Sequence, residues 1–259
     1  MIKKMVNEFV LAFSKETFVE LANENPKEAQ EYLDFYIKND LDADLSGVKL
    51  TGLRLEGFRF RYISMKGADL RGAHLKDASF YEADLTEANL AGADIRKAFF
   101  DEAILIKANL SDVNAQDASF TGTDMTETTM VNGCFGGADF FNAKMKNVRA
   151  HEAHLENADL SSTRLCGAKL IKAKLGSADL SYADLRGADL SGAILEGADF
   201  SMSTLDNVKP HMNKFTCFLF SSHTRLATYL LLRFPSAHAA RDMTCSSSLT
   251  SSSCSLNHS

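Results

Sequence analysis

At 259 residues, 45% hydrophobic and 24% charged, the chain has room for one large domain or two small ones and an ordinary soluble composition. Its net charge of −6 is unevenly spread: residues 1–40 sum to −3, 41–208 to −7 and 209–259 to +4. An acidic body repels phosphates, which excludes direct nucleic-acid binding from the expected functions.

Met1-Ile2-Lys3-Lys4 opens like a signal peptide, but Asn7 and Glu8 interrupt the apolar run and no A-x-A site follows. Residues 1–40 instead read as a helical N-terminal cap or module. Ile2, Met5, Val6, Phe9, Val10 and Phe13 fall at i, i+3, i+4 spacing, which predicts one apolar stripe. Ser14 restarts a turn set carrying Phe18, Val19 and Leu21. Asn25-Pro26-Lys27-Glu28 is a helix start, with Asn as N-cap, Pro at the first position and Glu at the third. The helix after it should present Ala29, Leu33, Tyr36 and Ile37 on one side.

From Leu45 to Leu205 every fifth residue is a core-type centre, 33 in unbroken phase, of which 31 are Leu, Phe, Met or Ile and only Ala115 and Ala150 are not. Two residues before each centre sits a small or β-branched side chain in most units, Ala in 22 of the 33. The register reads A-(D/N)-(L/F)-x-x, as in Ala68-Asp69-Leu70 and Ala188-Asp189-Leu190. A period of five matches neither a helix nor a flat strand, and self-similarity over residues 41–208 dictates a stacked, quasi-one-dimensional structure. Val48, Leu53, Phe58 and Ile63 depart from Ala in one stretch, and residues 113–150 form a second irregular stretch.

After Asp206 the pattern stops, and Pro210, which lacks a ladder N–H, falls where the next centre would be. Residues 209–259 read as an apolar cap segment, Phe215–Phe234, followed by a basic, disordered Ser/Thr/Cys-rich tail. His223, Arg225 and Arg233 interrupt the apolar segment. A mid-span charge costs ~2.5–3.5 kcal/mol, so no membrane span is expected. The five cysteines form no CxxC pair and no His/Cys metal spacing. An odd, scattered set fits free thiols in a reducing compartment, and hence a cytoplasmic location. Export as an effector stays open.

The A-(D/N)-L-x-x array resembles that of the pentapeptide-repeat family over about two-thirds of the chain. The resemblance implies an all-β solenoid, a right-handed quadrilateral β-helix with four pentapeptides per coil and both the centre and the small residue pointing inward. The residues support four units per coil independently. Phe60, Phe80, Phe100, Phe120, Phe140 and Phe200 are separated by multiples of twenty, with Leu160 and Leu180 in the gaps and Phe135 alone outside. About eight coils at ~4.8 Å give a rod ~40 Å long. Its ends need covers against end-to-end growth. The N-terminal helices and the Phe215–Phe234 segment are the natural ones, and a homodimer through the C-terminal end is the alternative.

With centres inside, the flanking residues face outward and sort into four sides. The phenylalanine side carries Asp42, Glu82, Asp101, Glu102, Asp139, Asp159, Asp179 and Asp199 against Arg59 and Arg61, a sum of −6, while the other sides come to −1, +1 and −1. Tyr62, Tyr81, Phe99, Phe141 and Tyr182 share it. Asp139, Asp159, Asp179 and Asp199 should stack, repelling by ~0.9 kcal/mol per contact in water. Two roles fit them: bonding nearby backbone amides, or forming an anionic strip that attracts a basic partner.

No catalytic constellation is legible. His151-Glu152-Ala153-His154 has the wrong spacing for zinc, and Gly133, Gly136 and Gly137 form no phosphate loop. No nucleophile–base pair stands out, so no enzyme, cofactor or metal site is expected. The expectation is a non-enzymatic scaffold binding a protein partner along the face of Glu82, Phe99, Asp101, Glu102, Asp139, Phe141, Asp159, Asp179 and Asp199. The family resemblance suggests one alternative, a DNA mimic that modulates a type II topoisomerase such as DNA gyrase.

Overall fold

The computed structural model describes residues 13–39, 41 and 43–210; the stripe at 2–13, apart from Phe13, and the segments after Pro210 lie outside them. Two helices come first, α1 (Lys15–Glu24) and α2 (Pro26–Lys38). Ser14 caps α1 by accepting from the Thr17 amide, and Asn25 caps α2 by accepting from Glu28, with Pro26 at the first position.

The rest is a right-handed quadrilateral β-helix. Each residue before a centre pairs in parallel with the residue twenty further on, from Asp44 with Ser64 to Asp184 with Thr204. One coil is therefore four pentapeptides. All 33 centres are buried, and so are 31 of the 33 small-residue positions, most with no accessible surface; Leu53 and Ala198 are partly buried. The phenylalanine column stacks ring on ring: Phe60, Phe80, Phe100, Phe120 and Phe140 have successive centroids 5.1, 4.6, 5.0 and 4.9 Å apart and planes within 16° of parallel.

The five-residue motif follows from hydrogen-bond accounting. In the unit around Leu85, the Asp84 amide donates to Ile63 O in the coil before, and the Leu85 and Glu87 amides donate to Ile104 O and Ile106 O in the coil after. The Ala83 amide closes the preceding turn onto Phe80 O. The Thr86 amide has no backbone acceptor, and the Asp84 carboxylate takes it at 3.0 Å. Every Asp or Asn at this position, fourteen in all, accepts the amide two residues on. The acidic letter of the repeat is thus a turn acceptor before it is a surface charge.

Each turn places its third residue at positive φ, twelve times with glycine and 21 times without. A left-handed non-glycine residue costs roughly 1–2 kcal/mol, against ~1.5–3 kcal/mol for burying the Leu or Phe of the same unit. Burial wins, so the turn tolerates Lys, Glu and Asn. Irregular units exchange volume between positions. The two alanine centres, Ala115 and Ala150, each have Val at the inner small position, Val113 and Val148. Gly133 makes room for the Phe135 ring: a Cβ there would stand 2.4 Å from it. Buried Thr123, Thr128 and Thr163 donate their hydroxyls to Phe100 O, Leu105 O and Leu160 O.

The helices lie against the first coil. Phe18 packs edge-on to Phe58 and Phe60 at 6.4 and 6.2 Å, and Ala22, Ala29, Tyr32, Leu33 and Tyr36 are buried in the same cluster. Ile37, expected on that face, is only half-buried. Arg59 has no earlier coil to take its amide; Gln30 Oε1 accepts it at 2.8 Å, and Asp34 pairs with the Arg59 guanidinium. Lys15 reaches Ser46 O and Asp44 in the same way.

At the other end the register runs past Asp206. Strands β1 (Asp189–Leu190) and β2 (Lys209–Pro210) pair in parallel, and the Lys209 amide donates to Ala188 O at 2.8 Å. Pro210 therefore does not end the ladder before its own position, as the missing N–H suggests. A centre's amide points to the coil after it, so proline here removes only the donor that a next coil would use. Among the described residues Cys166 is a free thiol. No helix of the described residues is long and apolar enough to cross a membrane.

Candidate functional site

The phenylalanine side gathers most of the exposed apolar surface. Of seven large hydrophobic side chains exposed among the described residues, Tyr62, Phe99, Phe141, Tyr182 and Met202 stand on it or on the corner that follows; Ile104 and Ile194 do not. Phe99 and Phe141 are 49% and 47% exposed, at the positions before and after a buried phenylalanine. Tyr81 is half-buried, and Met202, absent from the sequence expectation, occupies the same register position as Tyr62 and Tyr182. That shared register was the signal available for it.

The carboxylates fall into two groups. Glu82 and Glu102 are exposed at positive-φ corners one coil apart. Asp101 accepts the Ser119 hydroxyl at 2.5 Å. Next to them Arg61 lies over the rings of Tyr81 and Tyr62, 5.2 and 5.9 Å from the centroids. The Tyr81 hydroxyl bonds Glu82, which raises its pKa above the ordinary phenol value.

The second group is the row Asp139, Asp159, Asp179 and Asp199, paired in register down four coils. Each accepts its own turn amide, from Phe141, Ser161, Ser181 and Ser201, at 2.8 Å. In three other units the residue after the centre is an arginine that closes an ion pair: Asp69–Arg71, Asp94–Arg96 and Asp184–Arg186. Along this row it is Phe or Ser, and no ion pair reaches the four carboxylates among the described residues. The row is structural through one oxygen and, among the described residues, uncompensated in charge.

Arg59 belongs to the helix contact and leaves the open face more acidic than its composition suggests. Asp42 lies outside the described residues. His154 stands 3.7 Å from Glu156, and burial pushes its pKa below the usual histidine value. No group of three His, Cys, Asp or Glu side chains among the described residues could hold a metal.

The family model for pentapeptide repeats matches in eight copies over residues 63–101, 103–142, 134–170, 143–181 and 173–209. No curated protein matches the chain. Among solved structures it is similar to HetL, a pentapeptide repeat protein involved in heterocyst differentiation regulation from the cyanobacterium Nostoc sp. strain PCC 7120, at 33% identity over 64% of this chain and 80% of that one, TM-score 0.34. It is similar to a trypsin-treated form of QnrB1, a plasmid-mediated fluoroquinolone resistance protein, at 18% identity over 75% and 98% of the chains, TM-score 0.36. A pentapeptide repeat protein from the Arabidopsis thaliana thylakoid lumen is 30% identical over 44% and 66% of the chains, TM-score 0.30.

Proposed function

The chain belongs to the pentapeptide-repeat family, and from that premise we propose that it is a non-enzymatic scaffold that receives a basic protein partner along its phenylalanine side. The observation that carries this reading is the coincidence on one side of five exposed large hydrophobics with a row of four carboxylates that no cation neutralises among the described residues. Aromatic anchors beside same-sign charge suit a protein interface: the rings supply buried area and the charges set partner and on-rate. Glu82, Phe99, Asp101, Glu102, Asp139, Phe141, Asp159, Asp179 and Asp199 are the residues assigned to it.

The test separates charge from fold. Asn89, Asn109 and Asn114 accept the same turn amide as aspartate does. Replacing all four row aspartates with asparagine should therefore leave melting unchanged or slightly raised while weakening capture of the partner. Phe99→Ala with Phe141→Ala should weaken the same capture in a folded rod. Full capture by both variants would refute the assignment.

The regular carboxylate spacing favours a second reading, DNA mimicry toward a type II topoisomerase. Its charge is sparse: the described part of this side carries seven carboxylates, whereas duplex DNA of the rod's length, ~40 Å, carries on the order of twenty phosphates. Lack of any effect of the purified protein on gyrase supercoiling removes this reading and leaves the first intact.

A further inference from the structure

Nineteen of the 33 units have a residue other than Asp or Asn before the centre; on the side centred on Met125, Met145, Leu165 and Leu185, two such residues in adjacent coils are basic and lie under a groove. Before these centres stand Asp124, Lys144, Arg164 and Asp184, paired in register. Asp124 and Asp184 accept the amides of Thr126 and Arg186 as usual, at 3.1 and 3.2 Å. Lys144 and Arg164 carry no acceptor, and the amides of Lys146 and Cys166 find none among the described residues. These two open donors sit in adjacent coils, about 4.8 Å apart.

Over them runs a shallow groove of about 520 Å³ whose lining includes Lys144, Lys146, Arg164 and Arg186, with Thr126 and Tyr182. Lys144 reaches Asp124 at 3.5 Å, and Arg186 forks onto Asp184 at 2.8 and 2.6 Å. Lys146 and Arg164 have no carboxylate partner among the described residues. Basic residues stand before other centres as well, at Lys49, Arg54, Arg59, Arg149, Lys169 and Lys174, but outside the groove. Each departure costs a turn its acceptor and stacks like charges, and an oxyanion between the coils reverses both effects.

We propose that this groove binds a small phosphate-bearing molecule, whose oxygens take the Lys146 and Cys166 amides and the Lys144 and Arg164 side chains. Adjacent backbone N–H groups flanked by cations form an anion-binding concavity, and the volume suits a small ligand. The groove meets the phenylalanine side at the Tyr182 corner, but none of the four groups assigned to the anion lies on that side, so the proposal stands or falls independently of the partner assigned there.

The probe is inorganic pyrophosphate, titrated into the full chain by calorimetry at low ionic strength. Saturable binding at or below about 1 mM is expected. Arg164→Asp restores the repeat's own acceptor for the Cys166 amide, so it should fold as well as the parent and bind pyrophosphate at least tenfold more weakly. Lys97→Asp, on an exposed turn away from the groove, should bind as the parent does. Absence of saturable binding, unchanged binding by Arg164→Asp, or an equal loss in both variants overturns the proposal. So does tighter binding of a single-stranded oligonucleotide than of pyrophosphate.

Discussion

Fourteen Asp and Asn side chains accept the same kind of turn amide, so an aspartate of the repeat has to be judged by what its removal leaves unpaired. Asp159→Ala strands the Ser161 amide and should cost about 1 kcal/mol in denaturant unfolding, while Asp159→Asn should cost nothing measurable. Equal losses for both would make the charge, rather than the acceptor, the stabilising property. Gly67 sits at φ +61 with nothing within 4 Å of an added Cβ. Gly67→Ala should still lose roughly 1–2 kcal/mol, because the strain is in the backbone. The arginine forks on Asp94 and Asp184 hold those carboxyls below the ordinary value of 3.8. A lowered folded pKa gives stability that is full above the unfolded value and is lost as the pH falls. Melting should drop below about pH 4, and Asp94→Asn with Asp184→Asn should flatten the drop.

The elements divide into a rod that stabilises itself coil by coil and a helix pair that depends on one coil. The α1–α2 pair is held by Phe18 in the aromatic contact and by Gln30 on the open ladder edge. Phe18→Ala should cost ~3–5 kcal/mol at this junction, read as early loss of the helical signal while the strand signal persists. Burial and the Tyr32 hydroxyl push the Tyr36 pKa up to about 12. For a phenol a raised folded value means stability present below the ordinary value of 10.0 and lost as the pH rises toward 12. The helices should loosen first in alkali, and Tyr36→Phe should remove that dependence. The two helix starts were legible in Ser14 and Asn25-Pro26, because a cap is a local matter. The partners of Gln30 and Asp34 were not, since they lie 29 and 25 residues away on Arg59.

For the whole molecule the twenty-residue register has a consequence that can be tested by deletion. Removing residues 101–120 takes out one coil and lets Phe100 meet Phe140, so the rod should keep its strand signal per residue. Removing only 101–105 turns everything after it by a quarter, takes Phe120 off the Phe100 column and splits the acidic row from Phe99. The shorter deletion should therefore destabilise more. An opposite order would mean that the columns contribute little beyond each unit's own burial.

The order of residues alone specifies the coil. An unbroken count of five, a small residue beside each large one and phenylalanines at multiples of twenty leave one way to bury the centres, because burial and ladder pairing are the same in every unit. It also placed Phe99, Phe141 and the aspartate row on one side, since register alone decides which residues stack. It offered turn-amide bonding as one of two roles for the aspartates without deciding between them, and it did not show that Lys144 and Arg164 leave two amides open. Summed over its whole length, the side that carries Leu45, Met125 and Leu165 comes to −1, which hides a basic groove confined to a few coils. Those facts depend on which donor lies within 3 Å of which acceptor and on the depth of the surface between coils. Only the three-dimensional path of the chain sets them.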